Sequence, residues 1–512
     1  MPSFFDVVAG YAATDPDRLA LLTEQDGTRT YGELTARAAA FGAALYARLG
    51  VEPGSRVCIW AVNRPEWVET YLAAGAVQLA TVAANPEWTD TEAAYVLEHS
   101  ESVVVVCEAD LAERAVALAE RIPRLRWVVA LAGDDGAAPA TAAQSFEALV
   151  AGAGADPRAA FPTGEGPPAS FLMYTSGTST GRPKAVVSRP TSASMSIDYQ
   201  AMFGLNPSDR AIVVTPFFHG NGFGGVTSAL SYGASAVFPR RFSARRFWPL
   251  VDRYRPTYLM TLAPIVNILL GQPPGWHERT HAFRVLIVLG SAGGAPVIEE
   301  RFGAPVIDWY GMTEAGMGTY TRLDEPRKVG SAGRPFPGSG MTILKDGAEA
   351  DPGEIGEVVF RRESLGFEGY LNDDEANQAA LDDRYFHTGD LGYFDEDGYF
   401  FFVDRLKDIV RRGGENISSM EVEAVLRTHP EIAEAAVVGQ PDAVLGERVV
   451  AFVRLADGVD ALSDPGAVKT YVAGQLAPFK VPEALYVVDE LPRTPTGKVQ
   501  KFELRDRLSQ PT

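Results

Sequence analysis

Residues 174–187 read Tyr-Thr-Ser-Gly-Thr-Ser-Thr-Gly-Arg-Pro-Lys-Ala-Val-Val. The apolar run Phe171-Leu-Met-Tyr174 ahead of them suits a buried strand. A loop then leaves that strand carrying the hydroxyls of Thr175, Ser176, Thr178, Ser179 and Thr180, the glycines Gly177 and Gly181, and the cation of Lys184. Such a loop can hold a polyphosphate. Glycines let backbone N–H groups turn toward phosphate oxygens, hydroxyls donate further bonds, and lysine offsets the charge. It is not a Walker loop, because Gly-x-x-x-x-Gly-Lys-Ser/Thr is absent. Taken alone, the same composition also describes a solvated linker.

The second half of the chain adds further clusters. Trp309-Tyr-Gly-Met-Thr-Glu314 follows the strand-like Pro305-Val-Ile-Asp308. After it come His387-Thr-Gly-Asp390, Asp404-Arg-Leu-Lys-Asp408, Arg411-Arg-Gly-Gly-Glu-Asn416 and Pro495-Thr-Gly-Lys498. In this order, from Thr30-Tyr-Gly-Glu33 to Lys501, the set resembles the adenylate-forming (AMP-binding) superfamily. That superfamily comprises acyl-CoA synthetases, nonribosomal peptide adenylation domains and luciferases. Arg411–Ser419, Thr494–Lys501 and Gln272-Pro-Pro274…His281 are most similar to its crotonobetaine/carnitine-CoA ligase-like and fatty-acid-CoA ligase-like members.

The resemblance implies ATP-dependent activation of a carboxylic acid as acyl-AMP, with pyrophosphate release and transfer to a thiol. Such chemistry needs charge compensation and alignment more than a protein nucleophile. By resemblance, Lys498 bridges the carboxylate and the α-phosphate. Glu314 ligates Mg²⁺ on the phosphates, and Thr313 donates to the α-phosphate. Tyr310, within Trp309-Tyr310-Gly311-Met312, stacks on adenine, which is compatible with a core position for the same ring. Gly294, Ala295 and Pro296 frame the adenine with backbone. Asp390 suits a bidentate hold on the ribose hydroxyls, and Arg405 supplies a second ribose or phosphate contact. His219, in Pro216-Phe-Phe-His-Gly220, lies between the acyl carboxylate and the phosphate loop. Gly413 and Gly414 line a pantetheine tunnel, and Lys407 is the interdomain hinge.

Three departures from the family pattern stand out. The phosphate loop carries one extra residue, Ala185 follows the lysine where glycine is usual, and Tyr385 takes a position often held by tryptophan. None removes a charged group. The extra residue leaves open which hydroxyl meets which phosphate.

No carrier-protein domain follows Lys501, so CoA is the first candidate acceptor. The acid pocket is expected along His219–Gly225, Ser291–Gly294 and Trp309–Gly318, which hold no lysine or arginine. They suit an apolar or aromatic acid, while Trp309 and Phe223 could instead receive a carnitine-like quaternary ammonium. Two other classes stay open. One is an adenylating enzyme with a non-CoA acceptor, such as one that activates nitrite to diazotise an aromatic amine. The other is a non-catalytic nucleotide-binding module.

Bulk properties fit a small-molecule enzyme. A net charge of −20, with no Lys/Arg cluster, argues against a nucleic-acid partner. No apolar run approaches the roughly 18 residues of a membrane span, and no signal-like N-terminus is seen, so a cytoplasmic protein without membrane insertion is expected. A homodimer is compatible with the family. Cys58 and Cys107 lie in apolar runs and read as buried free thiols.

At 512 residues the chain should divide. The expected fold class is α/β. A large N-terminal domain (1–404) holds two α/β subdomains and a barrel-like β segment, and a small mobile α+β lid follows (405–512). The alternation begins with helix 36–49, strand 56–60, helix 66–77 and strand 103–107, with a helical island at 146–150. Further strands are expected at 211–215, 234–238, 257–262 and 285–289. After Arg334 the pattern turns to antiparallel strands at 341–344, 357–361 and 399–403. In the last segment Ser418-Ser-Met-Glu421 has capping-box spacing for a helix over 421–427. Strands at 435–438, 449–453 and 485–488 and a helix at 467–476 complete it.

Overall fold

The computed structural model describes residues 3–509 except 25–26, 134–142, 155, 163–169, 175–183, 189–201, 292–293, 414, 443 and 495–496. The described chain forms two compact units. The first comprises residues 1–175, 184–339 and 364–378; the second comprises 340–363 and 379–512.

Two sheets build the first unit. One runs Arg334–Pro335, Gly316–Tyr320, Val306–Met312, Val285–Leu289, Tyr258–Leu262, Arg210–Val213, Ser235–Phe238, Leu19–Thr23, Arg29–Thr30, nine strands among the described residues. It is parallel from Leu19–Thr23 through Val306–Met312. The other runs Phe367–Tyr370, Ala185–Ser188, Phe171–Tyr174, Ala80–Ala84, Arg56–Trp60, Val104–Cys107, Trp127–Ala130, Gln144–Ser145. Its inner strands Ala80–Ala84 and Val104–Cys107 are buried at every residue, as expected of a parallel sheet covered on both faces. The thiols of Cys58 and Cys107 are free and buried there, and desolvation pushes the Cys107 thiol up to about 12.

Local signals explain most of these elements. Thr30-Tyr-Gly-Glu33 is a capping box: Glu33 N donates to Thr30 Oγ1 at 3.2 Å, and Thr30 N to Glu33 Oε2 at 2.9 Å. The Tyr31 hydroxyl, fully buried, donates to Ala234 O at 2.7 Å and fastens this helix to the first sheet. The helix expected over 36–49 begins earlier, spans Tyr31–Ala43, and continues as a π turn to Arg48. Pro65 opens the next helix, Pro65–Ala76, at a position where a missing N–H costs nothing.

In the second unit, Ala348–Glu349, Met341–Lys345, Gly356–Arg361, Tyr385–Phe394 and Phe400–Arg405 form the expected antiparallel sheet. A further sheet runs Glu415–Ile417, Val410–Arg412, Gly446–Leu455, Ile432–Asp442, with Ala484–Val487 parallel to Gly446–Leu455. Helices Ser419–Leu426, Pro465–Ala473 and Lys501–Ser509 accompany it. The capping signal at Ser418 is realised only in half. Ser418 Oγ accepts from Glu421 N at 3.3 Å, but the Glu421 carboxylate pairs with Lys480 at 2.6 Å. The helix accordingly starts at Ser419, two residues before the expected start.

Candidate active site

The strands Val306–Met312 and Gly316–Tyr320 form a hairpin whose tip is Thr313, Glu314 and Ala315. The strand runs four residues beyond the expected Pro305–Asp308, so Trp309–Met312 are ladder residues opposite Tyr320–Gly316. Gly311 admits no side chain, because a Cβ would lie 2.1 Å from Gly316 O. Trp309 and Tyr310 are buried and join the first unit's core.

Asp308, 1% exposed, ties this strand to the loop before helix Ala295–Phe302. Its Oδ1 accepts from Ser291 N and Trp309 N, each at 2.9 Å. Gly294 is the N-cap of that helix and Pro296 lies in its first turn. Asp308 Oδ2 is buried and makes no hydrogen bond to the described residues. Burial raises the carboxyl to about 6, against the pull of the two N–H groups.

Glu314 meets Lys184 through an aromatic ring. Strand Phe367–Tyr370 pairs with Ala185–Ser188, which brings Tyr370 to the lysine. The Tyr370 hydroxyl donates to Glu314 Oε1 at 2.9 Å, and Lys184 Nζ lies 5.1 Å from its ring centre. Asn377 grips the tyrosine backbone on both sides, accepting from Tyr370 N at 2.7 Å and donating to Tyr370 O at 2.8 Å. Burial first, and then the Glu314 charge, raises the phenol, so Tyr370 stays a neutral donor.

His219 is the extended N-cap of helix Gly220–Ser231. A Cβ on Gly220 would stand 4.0 Å from Thr313 Oγ1, so the start of this helix reaches the hairpin tip. Phe223, one turn on, is wholly buried, stacked on Phe171 at 4.1 Å and edge-on to Tyr71 at 4.8 Å.

The second unit holds the other candidates. Asp390, 4% exposed, lies opposite Arg405 across the ladder Tyr385–Phe394/Phe400–Arg405, and Arg405 Nε is 3.4 Å from its Oδ1. Thr388 Oγ1 accepts from Asp390 N, and Glu357 braces the same bend by accepting from Gly389 N at 3.0 Å and pairing with His387 at 2.9 Å. Burial lowers the His387 imidazole, but Glu357 and Asp382 outweigh it and the net shift is upward. Lys407 sits in a turn closed by Asp408 N donating to Arg405 O at 2.8 Å. Gly413 N donates to Leu445 O at 2.7 Å. Lys498 is exposed, in a loop where Thr494 N bonds Lys498 O at 2.8 Å and Lys498 N bonds Thr494 Oγ1 at 3.2 Å.

The AMP-binding enzyme family model matches residues 8–371, and the model for the AMP-binding enzyme C-terminal domain matches 421–498. This chain belongs to the AMP-binding enzyme family. It is an AMP-forming acyl-CoA ligase, a member of the adenylate-forming superfamily. An oxalate–CoA ligase of Arabidopsis thaliana is 33% identical over 95% of this chain and 95% of its own. A crotonobetaine/carnitine–CoA ligase of Shigella sonnei is 31% identical over 90% of each. The ATP-bound structure of MatB from Rhodopseudomonas palustris aligns with a TM-score of 0.87 at 30% identity, covering 98% of both chains. No helix among the described residues is long and apolar enough to cross a membrane.

Within this ligase the first unit gathers Lys184, Glu314 and Thr313 with the start of the His219 helix. Thr175, Ser176, Gly177, Thr178, Ser179, Thr180, Gly181 and Gly414 lie outside the described residues. Two residues that escaped the sequence reading are Tyr370 and Asp308. Nothing in the spacing of Phe367-Glu-Gly-Tyr370 ties it to Glu314, since the link is a strand pairing across distant segments. Asp308 did carry a signal: a carboxylate closing an apolar strand, immediately before the Trp309–Glu314 cluster.

Proposed function

We propose that this ligase activates an apolar or aromatic monocarboxylic acid and passes the acyl group to CoA. One observation carries the choice of acid. The segments His219–Gly225, Ser291–Gly294 and Trp309–Gly318 contain no lysine or arginine, so a second substrate carboxylate would lack a cation there. The Arabidopsis relative is named for oxalate, a dianion, and the Shigella relative for a quaternary ammonium acid. Burial of Phe223 between Phe171 and Tyr71 leaves its ring face committed to the core, which weighs against a cation–π role for that residue.

In this reading Lys498 supplies the cation between carboxylate and α-phosphate, and Lys184 and the 175–181 hydroxyls hold the remaining phosphates. Thr313 donates to the α-phosphate, and His219 faces the acid carboxylate. Tyr310, with Gly294–Pro296, receives adenine; Asp390 holds the ribose, with Arg405 beside it. Gly413 and Gly414 line the pantetheine path. The body 1–404 and lid 405–512 rotate about Lys407 between half-reactions. Glu314 is the residue that would hold Mg²⁺, and the ion when bound would supply Lewis-acid polarisation of the phosphates. Among the described residues no group of three His, Cys, Asp or Glu side chains is placed to hold a metal ion.

The test is pyrophosphate release across a panel of linear fatty acids, benzoates, oxalate, malonate, carnitine and nitrite, with CoA or an aromatic amine as acceptor. Apolar or aromatic monocarboxylates are expected to give the highest kcat/KM, with acyl-CoA, AMP and pyrophosphate as products. Fastest turnover of a dicarboxylate or carnitine, or a diazo product, overturns the reading.

A further inference from the structure

His219 ends the segment Thr215–His219, which follows strand Arg210–Val213 of one sheet and is held by a residue that follows a strand of the other. Asn63, 3% exposed, follows strand Arg56–Trp60. Its Nδ2 donates to Thr215 O at 3.0 Å, and its Oδ1 accepts from Phe217 N at 2.8 Å. One amide thus bonds the backbone on both sides of Pro216. The next link is the chain itself: His219 N donates to Pro216 O at 3.1 Å.

Asn63 is itself fixed. Glu108, 6% exposed, accepts from Val62 N at 3.2 Å and from Arg64 Nη1 at 2.7 Å, the two neighbours of Asn63, and Arg240 completes the cluster at 2.7 Å. From the helix side, Asn221 Oδ1 accepts from Thr215 Oγ1 at 2.8 Å. Gly222 has no room for a side chain, because a Cβ would lie 2.2 Å from Pro216 O. The segment is therefore clamped from three directions immediately before the histidine.

We propose that Asn63 is a positioning residue for the acid half of the site: it fixes the Thr215–His219 backbone and thereby the histidine that faces the substrate carboxylate. The inference rests on the acid-facing reading of His219. Its chemistry is specific to a side-chain amide. Alanine loses both bonds, and aspartate keeps the acceptor for Phe217 N but places a carboxylate against Thr215 O.

The test measures ATP–pyrophosphate exchange with hexanoate and with benzoate, alongside hydrogen exchange at the Phe217 amide. Asn63→Ala should raise the acid KM about ten- to a hundredfold, the scale of a displaced substrate contact, with the ATP KM within about twofold. Thr215→Val, which removes only the Asn221 link, keeps the test open if Asn63→Ala folds poorly, and should shift the acid KM in the same direction. Faster exchange at Phe217 is expected in Asn63→Ala. The double variant Asn63→Ala/His219→Ala should be no worse than His219→Ala alone, since both act at one contact. Val8→Ala, a buried truncation in the N-terminal helix, should lower stability and leave the acid KM alone. Multiplicative losses in the double variant, or equal increases in both KM values, overturn the coupling through Asn63. If His219→Ala leaves the acid kinetics unchanged, the role of His219 itself falls, and this inference falls with it.

Discussion

Lys498 and Asp308 show how differently a charge can act in this ligase. Lys498 stands exposed in a loop, so its value lies in where the ammonium can be placed. Losing a preorganised charge partner of a transition state costs about 2.7–4 kcal/mol, or ~10²–10³ in rate. Lys498→Ala should lose that much in adenylation while still converting a supplied acyl-adenylate and CoA to thioester; equal loss in both half-reactions marks the lysine as structural. Asp308 is buried, and its folded pKa of about 6 lies above the 3.8 of a free carboxyl. The protonated form is therefore favoured by folding, and this contribution, on the order of 3 kcal/mol, is present at low pH and lost as pH rises through about 6. Asp308→Asn keeps an acceptor for Ser291 N and Trp309 N and cannot ionise. It should raise Tm near pH 8, and its advantage should shrink toward about pH 5. A pH-independent Tm difference would place the effect in packing.

Among the elements, the turn Arg405–Asp408 holds the proposed hinge, and Asp404 just before it braces the helix Ser419–Leu426. Asp404 Oδ2 accepts from Ser418 Oγ at 3.0 Å, Ser419 Oγ at 2.8 Å and Met420 N at 3.2 Å, a carboxylate placed at the helix N-terminus. Asp404→Ala should destabilise the second unit by about 0.5–2 kcal/mol, the range for a lost cap, read as a lower denaturation midpoint at unchanged m-value. Lys407→Pro acts on the turn itself. Proline fixes φ near −65°, so a hinge at this position could no longer absorb the change between half-reactions. Acyl-AMP should accumulate with little acyl-CoA formed. A folded Lys407→Pro variant that transfers to CoA at the parental rate removes the hinge from this position.

At the scale of the whole molecule, periodicity and composition were enough for the parallel strands, whose β-branched residues fill a sheet buried on both faces. Strand Arg56–Trp60 and strand Val285–Leu289 coincide with their expected limits for that reason. Boundaries failed where a strand pairing or a cap outside the local pattern decides them. Strand Val306–Met312 is prolonged by its hairpin partner, and the start of helix Ser419–Leu426 is held by the N-cap Ser418 together with Asp404. The site followed the same rule. Motif residues were legible as chemistry, and Asp308 carried a signal at the end of its apolar run, whereas the contacts of Tyr370 and Asn63 arise from register and burial that no local pattern encodes.

The ligase is expected to work in two steps, through an enzyme-held acyl-adenylate. Its most direct test is a rapid-quench experiment with excess enzyme, ATP, Mg²⁺ and the best acid of the panel, first without CoA and then with CoA added. Without CoA, one acyl-AMP and one pyrophosphate should form per active site; on adding CoA the adenylate should convert to acyl-CoA and AMP. Thioester formation with ADP and phosphate, or with no adenylate preceding it, would contradict the account.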